Sequence, residues 1–367
     1  MKFTCKCSLL RQEIEYASNF ASKKNSLSIS SNVLLEVSNE LLTIKAYDQQ
    51  MGFISSIPVS VSVPGSTTVF CEKLSNVLKN TEDVDIEVFE DNGILNIRPV
   101  DNENFSANMK TIEASRFPEL ESIDDSLFFS VTQRDFIDMI DKTSFAVAGE
   151  DNRHFLTGVY MENKEDRLVM VATDGKRLAC VKRQFEQEIP EFRPCIMSVR
   201  FLSMLKSIST GEGVLSLAVK EGLIFSRIGG RTIYSALIAG NYPNYEKVIP
   251  KNLEYKCVVR TEDLEKAVSF TSIFVDEESR RIFVEISNEK IDISGESTDI
   301  GDSRQSISCE YSGPDIRITF NSSLLHLPIK KIDSEFMKIM FRSESAALTI
   351  SPEPDKDYLY VLMPMQN

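Results

Sequence analysis

The sequence predicts an α+β fold built from three tandem domains, each of which holds two β-α-β-β-β units. Three observations lead to this prediction. A hairpin pattern, in which two alternating strands flank a polar turn, occurs three times along the 367 residues. A proline-containing segment repeats at about the same distance as the hairpin. Within each repeat, two helical segments each follow a short strand and precede further strands.

The hairpin and the proline segment set the domain length. The three hairpins are NVLLEVSNELLTIKAYD (32–48), TGVYMENKEDRLVMVATD (157–174) and RIFVEISNEKIDISGES (281–297). Asp48 and Asp174 are 126 residues apart, and Asp174 and Ser297 are 123 residues apart. Pro118 in RFPELESI and Pro243 in NYPNYEKVI are 125 residues apart. The predicted domains therefore cover residues 1–125, 126–250 and 251–367.

Two helices in each domain are predicted from apolar residues at helical spacing. The first helices are SLLRQEIEYASNF (8–20), TQRDFIDMIDKTSF (132–145) and TEDLEKAVSFTSIF (261–274). The second helices are CEKLSNVLKN (71–80), RFLSMLKSIS (200–209) and NSSLLHLPIKK (321–331). Thr261 is a predicted N-cap residue, since threonine hydroxyls accept bonds from the first helical N–H groups. Pro328 is expected to kink or shorten the last helix.

The cysteines and histidines predict no metal site and no cofactor. Seven cysteines are scattered without a CxxC motif, and the histidines are only His154 and His326. Cys5 and Cys7 alternate on a predicted strand, where both side chains would leave the same face. An odd number of cysteines cannot all pair within one chain, so we expect buried, reduced thiols.

Composition and charge narrow the class of protein. No apolar run approaches the roughly 18 residues that cross a bilayer, and charges follow Thr4 too closely for a signal-peptide core, which predicts a cytoplasmic protein.

The formal net charge of −14 would repel nucleic acid if it were spread evenly. The second helix of each domain nevertheless carries cations, namely Lys73, Lys79, Arg200, Lys206, Lys330 and Lys331. A helical face that is less acidic than the sheet face is therefore predicted.

The repeat also predicts how the edges of the sheets are covered. Similar domains joined head to tail can bond edge to edge, and a constant rotation per domain closes a ring. Helices would cover one face of the curved sheets. Three domains could close a ring alone or as a pair of chains, and the sequence leaves both arrangements open.

Five segments match a known family. They are HFLTG (154–158), VATDGKRLA (171–179), YPNYEKVIPK (242–251), FNSSLL (320–325) and YVLMPMQN (360–367). Through them the whole chain resembles the bacterial β sliding clamp, the processivity subunit of DNA polymerase III. The resemblance implies three DNA-clamp domains in a homodimeric ring, with helices inside, antiparallel sheets outside and no catalytic site. The implied partners are duplex DNA, held topologically without sequence preference, the polymerase III catalytic subunit, the clamp loader, other DNA polymerases, ligase and mismatch-repair proteins.

The resemblance also implies three sets of site residues. A hydrophobic cleft that takes partner peptides, through a glutamine and leucine or phenylalanine anchors, would comprise Leu156, Thr173, Gly175, Lys176, Arg177, Leu178, Pro243, Val248, Val361, Met363 and Met365. DNA contacts would come from Lys24, Lys73, Arg153 and His154. Dimer contacts would come from Ile273, Phe274, Phe105 and Met109. The chain departs from the family at Lys176, where histidine is common, and at Gln366 and Asn367, where arginine and leucine are usual.

Two other classes of protein remain as alternatives at this stage. An enzyme could use Asp174 and Lys176 as an acid/base pair, but the sequence supplies no matched nucleophile, base and orienting group. The segment STGEGV lacks the lysine of a phosphate-binding P-loop. A monomeric peptide-binding scaffold that does not encircle DNA would share the cleft and would differ in its oligomeric state.

Overall fold

The computed structural model describes residues 1–22, 28–101, 105–149, 152–355 and 357–366. These residues form 25 β-strands and six α-helices. The first elements are β1 (Lys2–Lys6), α1 (Cys7–Ala17), β2 (Asn32–Ser38), β3 (Leu41–Tyr47), β4 (Met51–Pro58), β5 (Ser60–Val63), β6 (Gly65–Phe70), α2 (Cys71–Lys79), β7 (Asp85–Asp91), β8 (Ile94–Pro99) and β9 (Ala107–Ile112). The central elements are β10 (Phe129–Thr132), α3 (Gln133–Thr143), β11 (Gly158–Lys164), β12 (Arg167–Thr173), β13 (Arg177–Arg183), β14 (Cys195–Ser198), α4 (Val199–Ile208), β15 (Val214–Lys220), β16 (Leu223–Ile228) and β17 (Arg231–Ala236). The last elements are β18 (Tyr255–Arg260), α5 (Thr261–Thr271), β19 (Arg281–Ser287), β20 (Lys290–Ser297), β21 (Gly301–Glu310), β22 (Ile316–Asn321), α6 (Ser322–Ile329), β23 (Phe336–Phe341), β24 (Leu348–Glu353) and β25 (Tyr358–Leu362).

The chain folds into two compact units, each with its own sheet. The first unit contains residues 1–133 and 200–237, and the second contains residues 134–199 and 238–367. The sheet of the first unit has the strand order β10-β15-β16-β17-β4-β3-β2-β6-β9-β8-β7-β1-β5. The sheet of the second unit has the order β14-β11-β12-β13-β25-β24-β23-β18-β21-β20-β19-β22.

The strand that precedes each helix pairs with the other β-α-β-β-β unit of its domain. In the first domain, β1 pairs with β7 and β6 pairs with β2. The same exchange joins β10 to β15 and β14 to β11 in the middle domain, and β18 to β23 and β22 to β19 in the last. The six predicted units are therefore present, but the first strand of each unit pairs with a strand of the other unit in the same domain.

Strands of neighbouring domains are hydrogen-bonded to one another within each unit. In the first unit, β4 pairs antiparallel with β17, with Phe53 opposite Ile233. In the second unit, β13 pairs antiparallel with β25, with Ala179 opposite Tyr360. The prediction that adjacent domains bond edge to edge is confirmed at both places.

Three local predictions are corrected by the structure, and one strand was missed. The first helix, predicted to residue 20, ends at Ala17, where Ser18 Oγ donates to the Glu15 carbonyl oxygen at 2.7 Å. Cys7 begins α1 and does not share a strand with Cys5. Thr261 is the first helical residue rather than the cap, because its hydroxyl donates to the Ser334 carbonyl oxygen at 2.7 Å. The short strand β5 was not predicted.

Two other local expectations agree with the structure. The last helix, α6, ends one residue after Pro328. All seven cysteines are free thiols, and six of them are buried, while Cys309 is half-buried. Burial raises the pKa of Cys71 and Cys195 to about 12, so these thiols stay protonated at neutral pH.

Among the described residues, no group of three or more His, Cys, Asp or Glu side chains could hold a metal ion, and no helix is long and apolar enough to cross a membrane.

A buried ion pair ties α1 to the middle-domain strand β17 within the first unit. Arg231 Nε donates to Glu13 Oε2 at 2.9 Å, and Arg231 Nη2 bonds the other carboxylate oxygen. Ser55 Oγ donates to Glu13 Oε2 at 2.6 Å. The guanidinium carbon also lies 4.6 Å from the centroid of the Tyr16 ring. Because Glu13 is only 4% exposed, its charge is compensated almost entirely by these protein groups.

Candidate functional site

The turn between β12 and β13, residues 173–177, is held by its own side chains. Asp174 Oδ1 accepts from the backbone N–H groups of Lys176 and Arg177 at 2.9 and 3.1 Å. Thr173 Oγ1 accepts from Gly175 N at 3.1 Å and donates to the Arg177 carbonyl oxygen at 2.5 Å. Gly175 has a φ of +89°, a conformation that side-chain-bearing residues rarely adopt. The aspartate therefore has a structural role in the turn.

Arg177 fastens this turn to Phe145, which lies in the same unit. Its Nε donates to Asp174 Oδ2 at 2.9 Å, and its Nη2 donates to the Phe145 carbonyl oxygen at 2.7 Å. The guanidinium carbon lies 5.6 Å from the centroid of the Phe145 ring, which itself stacks on Tyr360. With 10% of its side chain exposed, Arg177 acts mainly as a buried clamp on the turn.

Beside the turn lies a buried apolar floor. Leu178 on β13 is directly opposite Val361 on β25, and each is 1% exposed. Both belong to an apolar cluster whose other buried members are Val169, Val171, Cys180 and Tyr245. Strand pairing thus places residues from two predicted domains in one rigid surface.

Exposed apolar residues lie next to this floor. Val248 is 50% exposed and Met363 is 45% exposed, and Pro243 is also exposed. The C-terminal segment is attached to the turn, because Met363 N donates to the Lys176 carbonyl oxygen at 3.0 Å. Met365 N donates to the Thr319 carbonyl oxygen at 2.9 Å, and the Met365 side chain is half-buried. A rigid floor with exposed apolar side chains beside it suits the docking of a partner with apolar anchors.

Two predicted site residues have positions that bear on their expected roles. Leu156 is only 3% exposed, in the short 3-10 turn His154–Leu156, and is therefore buried like the floor residues Leu178 and Val361. Arg153, which the resemblance assigned to DNA, has guanidinium nitrogens 3.6 Å from the point where a Cβ on Gly175 would lie. Arg153 is therefore next to the turn.

Comparison with known proteins identifies the family. Family models match three consecutive segments: "DNA polymerase III beta subunit, N-terminal domain" at residues 1–121, the central domain at 130–244 and the C-terminal domain at 246–366. The chain is 33% identical over 372 residues to the "Beta sliding clamp" of Treponema pallidum (strain Nichols), and 100% of each chain is covered. The chain belongs to the bacterial β sliding clamp family. Members are processivity factors and not enzymes, so the enzyme alternative is excluded.

Solved structures agree with this assignment. The crystal structure of the DNA polymerase III subunit beta from Pseudomonas aeruginosa matches with a TM-score of 0.93 and 27% identity, covering 100% of both chains. The sliding clamp of Bacillus subtilis matches with a TM-score of 0.94 at 21% identity, over 100% of this chain and 99% of the other, which shows the shared fold. The predictions of three tandem clamp domains and of a sliding-clamp function are confirmed.

The residues that this clamp would use toward DNA are only partly visible. Lys24 lies outside the described residues. Lys73 is on the exposed face of α2, opposite the buried Leu74 and Leu78. His154 is exposed at the start of its 3-10 turn. Lys73 and His154 are thus accessible to a partner.

Of the residues assigned to the dimer interface, one is exposed and three are half-buried. Ile273 is 62% exposed, and Phe274 is half-buried with its ring centroid 5.7 Å from that of Phe270. In the first unit, Phe105 and Met109 are half-buried, and Met109 is on β9 opposite the buried Leu95.

Sequence reasoning missed the residues that hold one side of the candidate cleft. Tyr160 and Glu162 on β11, together with Tyr242 and Tyr245, bind the segment that carries Pro243 and Val248. One signal was present, since alternation on a strand puts Tyr160 and Glu162 on the same face. Their partners lie about 80 residues further along the chain, a distance that local patterns do not reveal.

Proposed function

We propose that this clamp closes as a head-to-tail homodimer around duplex DNA and tethers its partners through the cleft. The partners are the DNA polymerase III catalytic subunit, the clamp loader, other DNA polymerases, ligase and mismatch-repair proteins. The observation that carries the proposal is the pattern of free and paired strand edges in the two sheets.

The two domain junctions follow one rule. At each junction, the last strand of the first β-α-β-β-β unit in one domain pairs with the last strand of the second such unit in the next domain. The pairs are β4 with β17 and β13 with β25. The corresponding strands that remain are β21 in the third domain and β9 in the first.

Both remaining strands have a free edge within the described residues. On the side away from β20, β21 pairs with β18 only at Cys309 and Glu310, which leaves residues 301–308 unpaired on that side. On the side away from β8, β9 pairs with β6 only at Thr111 and Ile112, which leaves residues 107–110 unpaired. Pairing of β21 with β9 of a second protomer would extend the rule to a third junction and cover both edges.

Apolar residues lie beside both free strand edges. Ile273 and Phe274 lie in a 3-10 turn that packs beside β21, and Phe105 and Met109 lie at β9. A free edge with partly exposed apolar residues beside it is typical of a homodimer contact rather than of a solvated surface. These four residues are therefore proposed as interface residues.

Replacement of Ile273 by aspartate is expected to dissociate the dimer. A carboxylate buried at an apolar interface without a partner should raise the dimer dissociation constant roughly 100-fold or more. Sedimentation at micromolar concentration should then give the mass of one chain, 41.4 kDa, while the wild-type protein gives twice that mass. The control is Val214→Asp, which changes an equally exposed valine (57%) on β15 and should stay dimeric. A wild-type protein that sediments as a monomer would contradict the proposal.

DNA is proposed to be held by enclosure more than by charge. The net charge of −14 disfavours tight phosphate binding, whereas a closed ring needs only weak contacts because release requires an interface to open. Lys24, Lys73, Arg153 and His154 are the proposed contact residues. The exposed positions of Lys73 and His154 support this role.

The cleft is proposed to take short peptides with a glutamine and leucine or phenylalanine anchors. The eleven predicted residues provide a fixed floor at Leu178 and Val361 and adaptable methionines at Met363 and Met365. Flexible methionines let one pocket receive different partners. Lys176 is exposed and binds the C-terminal segment through its backbone, so its departure from histidine should change peptide preference without removing the pocket.

Domain boundaries near residues 125 and 250 remain part of the proposal. They are supported by the family-model matches, which leave residues 122–129 and residue 245 between consecutive domains. A cytoplasmic location is also proposed, because the role of the family in replication requires access to DNA.

A further inference from the structure

Residues 242–249 form one side of the proposed cleft, and we call them the linker wall. Pro243 and Val248 are its exposed apolar members. The Tyr242 ring stacks on the Tyr160 ring at 4.7 Å between centroids, with an interplanar angle of 14°. Tyr242 also donates its hydroxyl to the Val171 carbonyl oxygen at 3.4 Å. The ring and the hydroxyl of Tyr242 thus bind the wall to the sheet, next to the exposed Pro243.

One carboxylate is central to this attachment. Glu162 Oε1 accepts from the Tyr245 hydroxyl at 2.8 Å, and Glu162 Oε2 accepts from the Tyr160 hydroxyl at 2.8 Å. Two residues further along β11, Lys164 forms an ion pair with Glu246 of the wall. Tyr160, Glu162 and Lys164 share one face of β11 because side chains alternate along a strand.

Both tyrosines are donors over the whole physiological range of pH. Burial and the neighbouring Glu162 carboxylate raise the pKa of Tyr160 and of Tyr245 well above the usual value for a phenol. Tyr245 is only 5% exposed, so its hydroxyl depends on the carboxylate for a partner. Both bonds are charge-assisted and of normal length.

The wall has little structure of its own. Its 3-10 turn spans only Tyr245–Lys247, and the Val248 amide donates to the Tyr245 carbonyl oxygen at 3.0 Å. A turn of this length is weak without tertiary support. If it moved freely, ordering Val248 on binding would cost conformational entropy and reduce affinity.

We infer that Glu162 is a positioning residue for partner binding, whose carboxylate holds the linker wall so that Pro243 and Val248 are pre-organised for the peptide. The inference rests on the proposed cleft. Glu162 acts here through Tyr245, so removing either the Glu162 carboxylate or the Tyr245 hydroxyl should weaken peptide binding. The effect should appear in the wall before any peptide is present.

The test measures the wall and the binding separately. The dimeric protein is compared with Glu162→Ala, with Tyr245→Phe, which keeps the ring, and with Glu165→Ala, an exposed acidic residue in the same hairpin. The probe is a synthetic peptide with a glutamine followed by leucine and phenylalanine anchors. We expect the dissociation constant to rise about tenfold for Glu162→Ala and about threefold for Tyr245→Phe, since bonds to a charged acceptor are the stronger ones. Hydrogen exchange at the Val248 amide should accelerate by similar factors, and Glu165→Ala should change neither quantity.

Three outcomes separate the inference from the proposed cleft. Weaker peptide binding together with faster exchange at Val248 in both variants supports the inference. If the wild-type protein binds the peptide and both variants bind it equally well, the inference is wrong although the cleft stands. If the wild-type protein does not bind the peptide, the cleft assignment fails, and with it the role of Glu162 in partner binding.

Discussion

Replacing Val248 and Met363 together by alanine is expected to weaken partner-peptide binding by about 30-fold. The two side chains are 50% and 45% exposed in the free protein, so roughly half of each is available for burial by a peptide. Truncation removes two carbons from one and three heavy atoms from the other, at about 0.8 kcal/mol for each buried group. Half of that sum is about 2 kcal/mol, which is roughly 30-fold in a dissociation constant. Titration with the same glutamine-leucine-phenylalanine peptide measures the dissociation constant of each protein.

Val248 and Met363 are chosen because they are exposed, whereas the floor residues are buried. Leu178 and Val361 are 1% exposed, and truncating them would also open a cavity in the core and lower stability. Val248 and Met363 carry no such complication. Val214→Ala, which changes an equally exposed valine in the other unit, is the control and should bind the peptide normally. Unchanged affinity in the double variant would place the peptide somewhere other than this cleft.

Glu13→Ala is expected to lower the free energy of unfolding by about 3–5 kcal/mol. The substitution leaves the Arg231 guanidinium, whose side chain is 13% exposed, without its bidentate partner. Breaking one side of a buried ion pair is costly because the remaining charge stays desolvated. Denaturant unfolding followed by circular dichroism measures the change.

A neighbouring glutamate provides the matched control. Glu15 is 45% exposed on the same helix, and its ion pair with Lys79 spans 3.8 Å. Glu15→Ala should change stability by less than about 1 kcal/mol. Replacing both members of the buried pair, with Glu13→Leu and Arg231→Met, should recover much of the loss, since apolar pairs of similar volume can replace buried ion pairs. Equal effects of Glu13→Ala and Glu15→Ala would show that the buried pair does not hold α1 to β17.

The fold was predictable where its signals are local. Alternation in the three hairpins and the recurrence of Asp48, Asp174 and Ser297 at nearly constant spacing were enough to find the domains. The exchange of strands such as β1 and β6 within a domain was not, because pairing partners leave no periodicity in either strand. Thr261 shows the same limit, since its hydroxyl partner Ser334 lies 73 residues away.

The proposed cleft could be predicted only through family resemblance. Periodicity alone treats Leu178, Val248 and Val361 as ordinary apolar positions. The structure shows what distinguishes them, because Leu178 and Val361 are buried whereas Val248 is half exposed. The supports of the cleft, such as Glu162 with Tyr245, depend on tertiary contacts 83 residues apart. Such contacts require the folded chain.

Retention on DNA of different topology tests the central claim most directly. The clamp would be placed by a clamp loader on a nicked circular duplex, and half of the sample would then be linearised with a restriction enzyme. Gel filtration would measure how much protein stays with each DNA. A clamp that encloses DNA should remain on the circle and leave the linear molecule through its ends, at any moderate salt concentration. Equal retention on both DNAs would contradict enclosure and would indicate direct binding to the duplex.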